Sequence, residues 1–290
     1  MNAATSTLNQ FTPSNKYMDT NSSTSDFYNS NSLIAKVAFI LLVLFAFIIL
    51  MNVGTSMLSW YLKPKSNPKL IDGMVDASQL LIIPQDPSSV GSVTIPRSQN
   101  ENGGIEFTWS LWMLIDNLTT NQDKYKCVFY KGNDYTDSPD AVNEGMGLNF
   151  PNNAPGVYIA PNTNDLVIFM NTFNVINEQV TISSIPLNKW INLIIRVQNT
   201  TMDIYINGTI TKSHKLHGLP KQNYGDVYVG TNGGFDGNIS NLWYYDYALG
   251  TAAIEDIAFV GPNLNLSLNS SINTVGSDYL SLQWFFNGMN

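Results

Sequence analysis

The chain has 290 residues, 44% of them hydrophobic, with a formal charge of −8 and a sequence pI near 4.6. Arg97 and Arg196 are its only arginines, so it lacks the basic face that phosphate backbones require, which excludes nucleic acid as a partner. Cys127 is the single cysteine, which rules out an intrachain disulfide, and its place in an alternating segment reads as a small core residue.

Residues 1–32 are rich in Asn, Ser and Thr and poor in large aliphatics. Such a segment buries too little apolar surface to offset its ordering entropy, which predicts a disordered tail. It also lacks the basic start and small-residue cleavage site of a signal peptide. Residues 33–62 are predicted to form a transmembrane helix: positions 37–62 carry no charge and 37–51 are unbroken apolar. About 20 such residues cross the hydrocarbon layer. Trp60 and Tyr61 suit the headgroup region, with Lys63 and Lys65 beyond it. A buried core helix would need a second layer to pack on, and the preceding tail offers none. Lysines 63, 65 and 69 after the span outweigh Lys16 and Lys36 before it, which places the large domain on the cytosolic side. The lack of disulfides fits a reducing compartment. Asn-x-Ser/Thr sequons such as Asn117, Asn199 and Asn238 do not decide the orientation, because a chain this rich in Asn, Ser and Thr produces them by chance.

Residues 63–78 read as a linker and 79–260 as one β-sandwich. Short strands are expected at 80–83 and 90–95. Ile105, Phe107, Trp109, Leu111, Met113 and Ile115 then alternate with a partly polar set, the pattern of a central sandwich strand. Further strands are expected at 126–131, 157–160 and 166–170, with a long polar loop at 132–147. The clearest stretch is 191–212. Two alternating segments meet at Asn199–Thr201, and Asn207-Gly208, which tolerates positive φ, turns the second into a third, giving a β-meander. A short helix is expected at 251–259. Residues 261–290 form a C-terminal extension whose segment 279–286, YLSLQWFF, is too apolar for a free tail and is expected to pack on the domain or on a partner.

Several short pieces carry a family resemblance: Lys189-Trp190-Ile191-Asn192, Tyr205-Ile206-Asn207-Gly208, Val229-Gly230 and the run GGFDGNISNL at 233–242. With GIEFTWSLW at 104–112, VFYKG at 128–132 and Tyr247-Ala248-Leu249, they resemble the laminin-G/pentraxin branch of the concanavalin A-like lectin/glucanase superfamily. More narrowly, the combination is similar to membrane-anchored proteins of this type encoded by large DNA viruses. The resemblance implies an all-β, two-sheet antiparallel jelly-roll sandwich, here preceded by one transmembrane α-helix. It also implies a virion setting, with the domain facing the capsid from an internal membrane and capsid or other virion proteins as partners. Fold alone does not fix activity.

Catalytic chemistry is poorly supplied. A glycosidase needs two carboxylates flanking the scissile bond, yet Glu101, Glu106, Glu144, Glu178 and Glu255 form no cluster along the chain. His214 and His217 share one polar turn and read as exposed loop histidines, too few for a zinc site or a triad. No enzyme is expected. Calcium is the one cofactor to weigh, since many relatives hold it at a sandwich rim through oxygen ligands. Asp134, Asp137, Asp140 and Glu144, or Asp236 beside the Gly-rich turn, are the candidate ligands, although Asp also favours loops by bonding its own backbone. Trp243, Tyr245 and Tyr247, with Asn232, are the candidate glycan-binding residues, while alternation sends part of that aromatic run into the core. The expected function is therefore a non-enzymatic, membrane-anchored structural or interaction protein, a minor capsid or inner-membrane component; the alternative is a membrane-anchored lectin.

Overall fold

The computed structural model describes residues 33–62, 66–98, 100–101, 104–139 and 143–267. The expected disordered tail at 1–32, Lys63, Lys65, Asp140 and the apolar segment 279–286 lie outside the described residues.

Helix α1 (Leu33–Leu62) is apolar on every side, with Leu42, Phe45 and Leu50 all exposed. Its 29-residue apolar stretch, Leu33–Tyr61, is roughly 44 Å long at 1.5 Å per residue, enough to cross a bilayer. The polar side chains inside it turn back on the helix: Asn52 Nδ2 donates to the Ile48 carbonyl (3.0 Å) and Thr55 Oγ1 to the Met51 carbonyl (2.9 Å). That pairing satisfies these side-chain donors within the helix itself.

The second unit is a two-sheet sandwich. In chain order its strands are β1 (Met74–Asp76), β2 (Leu81–Ile83), β3 (Asn100–Glu101), β4 (Gly104–Ile115), β5 (Lys126–Gly132), β6 (Gly156–Ile159) and β7 (Leu166–Met170). They continue with β8 (Glu178–Ile182), β9 (Trp190–Gln198), β10 (Thr201–Ile206), β11 (Thr209–Lys215), β12 (Asp226–Val229) and β13 (Gly237–Tyr245), followed by helix α2 (Thr251–Val260). One sheet runs β1-β13-β4-β9-β10-β11, with β3 on β4, and the other β2-β12-β5-β6-β7-β8. All pairings within these sheets are antiparallel.

Alternation builds the core. Phe107, Trp109, Leu111 and Met113 of β4 and Leu193, Ile195 and Val197 of β9 face Phe129, Val157, Ile168 and Val227 of the other sheet. The meander closes as expected: Ile206 pairs with Thr209 around Asn207 (φ 50°) and Gly208 (φ 78°), the two positive φ values of a type I′ turn. Strand β13 breaks register between Ser240 and Trp243, with Asn241 left-handed at φ 52°. This irregularity points Ile239, Leu242 and Tyr244 inward and leaves Trp243 and Tyr245 outward. Helix α2 lies on the outer face of the first sheet, where Ile254 packs on Ile194, Tyr205 and Leu249.

The expected strand at 90–95 does not form. The Val93 amide bonds the Pro84 carbonyl (3.0 Å) and the Ile95 amide bonds the Gln85 side chain (2.9 Å), so this segment folds on its own preceding turn rather than joining a ladder. Strands β1, β3 and β8 were not expected.

Candidate functional site

The aromatic run on β13 divides between two environments. Trp243 and Tyr245 stack side by side on the outer face, ring centroids 6.0 Å apart, and Tyr245 meets Tyr247 edge-on at 5.9 Å. Lys69 Nζ sits 5.2 Å from the Trp243 ring centroid, a cation–π distance, and pairs with Asp72. Tyr245 and Tyr247 also pack into the cluster beneath α2. Burial, with Tyr247 alongside, pushes the Tyr245 hydroxyl up to about 12. Asn232 belongs elsewhere: it lies before the Gly237 end of β13, roughly 20 Å along the strand from Trp243, and its carbonyl accepts from Asn121 Nδ2 (3.0 Å). Trp243, Tyr245 and Tyr247 are therefore neighbours, and Asn232 stands apart from them.

The acidic loop residues are likewise dispersed. The Tyr228 hydroxyl donates to Asp134, while Asp137 accepts from the Ser138 amide (2.9 Å) and the Gly145 amide (2.8 Å). Glu144 is exposed and Asp140 lies outside the described residues. Asp236 accepts from the Thr120 hydroxyl (2.8 Å), apart from that loop. Among the described residues no three His, Cys, Asp or Glu side chains converge as a metal site would require. Asp137 ties down its own loop by bonding nearby backbone, while Asp134 and Asp236 accept from hydroxyls distant in sequence.

Two polar clusters emerge that spacing along the chain conceals. On the outer face of the first sheet, a line of hydrogen bonds crosses β4, β9, β10 and β11. Gln198 donates to Glu106 (2.9 Å) and Arg196 to both Gln198 (3.1 Å) and Asp203 (3.1 Å), while Ser213 donates to Asp203 (2.6 Å). Glu106 and Asp203 thus share a face although 97 positions separate them (203 − 106), with the cationic Arg196 between. The second cluster corrects the reading of His214, which lies half-buried on β11, while His217 is the exposed loop residue expected. His214 Nε2 (2.9 Å) and His217 Nδ1 (2.8 Å) both meet Glu178 Oε1, and the His217 amide donates to both carboxylate oxygens (3.1 Å each). Glu178 is 5% exposed. Burial raises its carboxyl, but the donors from His214 and His217 outweigh that and hold it below the usual range.

A sandwich of two antiparallel sheets with aromatic, carboxylate and amide side chains on its surface defines a lectin-type jelly roll. The family model for the concanavalin A-like lectin/glucanases superfamily matches residues 87–255, and the chain belongs to that superfamily. No curated protein matches it. Among solved structures, the receptor-binding domain of botulinum neurotoxin C/D mosaic serotype is 13% identical over 54% of this chain and 36% of that one, with a TM-score of 0.40. The serotype D ligand-binding domain in complex with N-acetylneuraminic acid is 14% identical over 67% of this chain and 42% of that one, TM-score 0.44. The serotype G binding domain is 13% identical over 67% and 50%, TM-score 0.43. The chain spans half or less of those solved domains, and no ligand is carried over from them.

Proposed function

We propose that the chain is a single-span membrane protein whose concanavalin A-like sandwich acts as a non-catalytic binding module, held at the bilayer by α1. The observation that carries this reading is the predominantly apolar helix Leu33–Tyr61, with no buried face, in a chain whose sandwich already has its own complete core. Its charge-free run, 37–62, also extends beyond the apolar stretch of ~7–15 residues in a signal peptide. Anchoring raises the effective concentration of the sandwich near any partner at the membrane, so modest contacts suffice. The non-catalytic part is supported by Glu106 and Asp203, whose carboxylates are tied to Gln198 and Arg196 rather than free to flank a substrate. In the finer form of this proposal the domain faces the cytosol and tethers an internal virion membrane to capsid proteins.

Membrane floatation followed by protease protection tests it. The full chain is expected to float with vesicles after alkaline carbonate extraction, and its sandwich to be digested from the cytosolic side without attached sugar. Release by carbonate would refute the anchor, and protection with glycosylated sequons would refute the orientation. A second reading, a membrane-anchored lectin, is favoured by the stacked Trp243–Tyr245 pair on the outer face. Saturable glycan binding abolished by Trp243→Ala would establish it.

A further inference from the structure

We propose that the groove between β1 and β2 is the seat of this chain's own segment 279–286, which closes the open side of the sandwich. Strand β1 begins one sheet and β2 the other. At the opposite side the last strands, β11 and β8, are held together by the bonds of His214 and His217 to Glu178. Between β1 and β2 lies instead a groove of about 600 Å³, room for several side chains. Val75, Ile83 and Val93 form its floor, where the core comes to the surface, and Leu80 (57% exposed), Val90 (67%) and Leu266 (77%) stand on its rim. Apolar groups gathered in one exposed concavity mark a binding surface.

The groove's polar groups do not call for a charged occupant. Asp76 lines it, but its carboxylate already accepts from the Ser78 amide (2.9 Å), the Ser78 hydroxyl (2.7 Å) and the Gln79 side chain (3.3 Å). Among the described residues no lysine or arginine lines the groove, so an anion would lose its water without gaining a partner. Strand β2 pairs with β12 on one side only, which leaves backbone N–H and C=O groups on its other edge for an added strand. An extended apolar segment satisfies both the walls and that edge.

The chain itself is led to this place. After α2 the Ser240 hydroxyl donates to the Asn263 carbonyl (2.7 Å), the Met74 amide to the Asn265 carbonyl (2.7 Å) and the Ser267 amide to the Met74 carbonyl (2.9 Å). Leu266 thereby forms a parallel bridge with Met74 at the outer edge of β1 and reaches the groove. A Cβ on Gly73 (φ 92°) would fall 2.5 Å from the Asn265 carbonyl oxygen, so this approach requires glycine. Eleven residues (278 − 267) separate Ser267, the last described, from Tyr279. They span up to roughly 36 Å, ample to turn back along two strands of three residues each. Within 279–286, Leu280, Leu282, Trp284 and Phe286 fall on alternate positions, the period with which an added strand sets its side chains into a groove. Because it belongs to the same chain, this segment has an effective concentration that a separate partner would have to exceed. The site is independent of whether α1 spans a membrane.

The experiment combines Val90→Cys, at the rim, with Leu282→Cys in the full chain held in lipid nanodiscs, where no detergent competes for the groove, and oxidises it with copper phenanthroline. The native Cys127 is buried and stays out of the reaction. Peptide mapping is expected to find a disulfide within one chain, formed at least ~5-fold more than in the control pair of Ile210→Cys, on the opposite edge, with Leu282→Cys. Separately, Leu282→Ser in the otherwise unchanged chain should lower the melting temperature by roughly 3–12 °C, since a leucine covered by the groove is lost. Equal cross-linking of the two pairs would leave the segment elsewhere, in the lipid or on another protein, and a cross-link between chains alone would seat a second copy in the groove. Either result, or a melting shift below ~1 °C, would overturn the proposal.

Discussion

Replacing Glu178 by Gln tests whether the two histidines clasp the edges of the sheets together. Strand β8 is the edge of one sheet and β11 the edge of the other, and the Glu178 cluster joins them, with Lys212 Nζ bonding the Thr181 carbonyl beside it (3.0 Å). The carboxylate receives the His214 ring, the His217 ring and the His217 amide. The His217 side chain is 71% exposed, so water can replace its ring bond at little cost. The half-buried His214 bond and the backbone bond remain, each to a charged acceptor and each worth ~1–1.5 kcal/mol after solvent screening, or roughly 2–3 kcal/mol together. For a domain of this size each kcal/mol moves the melting temperature by about 2–4 °C, so Glu178→Gln should lower it by roughly 4–12 °C. The assay is near-UV circular dichroism of the full chain in detergent at neutral pH. The acid side supplies an internal control. Because the folded carboxyl lies below its ordinary value, its contribution is present above about pH 4.3 and is lost as the pH falls through the lower folded value. The gap between wild type and variant should therefore close on acidification. A shift below ~1 °C at neutral pH, or a gap that persists in acid, would refute the clasp.

Two further outcomes follow from close packing. The Cys127 thiol is fully buried and pushed up to about 12 by burial, so maleimide at pH 8 should label it only as the sandwich unfolds, and rapid labelling of the folded chain would contradict its place in the core. Gly225→Ala should destabilise the domain by ~2–4 kcal/mol in a thermal melt, because the added methyl collides with backbone at Gly132; wild-type behaviour would mean that this loop can give way.

The order of strands was legible wherever sequence alternation and turn chemistry agreed. Strands β9, β10 and β11 satisfy both, and Asn207-Gly208 adopts the two positive φ values that its residue types favour. The segment 90–95 failed because Val90, Val93 and Ile95 supply apolar side chains without a neighbouring strand for their amides, which bond Pro84 and Gln85 instead. Strand β8 escaped notice for the opposite reason. Glu178 occupies the inward parity shared with Val180 and Ile182, which reads as a fault in the pattern until His214 and His217, 36 and 39 residues later, are brought beside it. The same holds for Lys131, which continues the inward parity of Phe129 and is stabilised by a loop more than 90 residues away. A lone charged residue on an inward-facing position was the available signal in both cases. Its meaning lay in pairing that only the fold creates.

The aromatic run on β13 shows how one residue of backbone irregularity redirects a surface. Strict alternation from Ile239 would carry Trp243 inward with it and turn Tyr244 outward. The register shift after Ser240, made possible by the left-handed Asn241, reverses that order. Tyr244 then joins Phe107 and Trp109 in the core, at centroid separations of 6.4 and 5.1 Å. Trp243 is returned to the outer face, where Lys69 covers it. Any ligand that stacks on Trp243 must first displace that ammonium, whose removal costs about 0.5–1 kcal/mol at an exposed site. The same irregularity thus supplies the core with the Tyr244 ring and leaves the outer aromatic pair partly occupied by the protein's own cation.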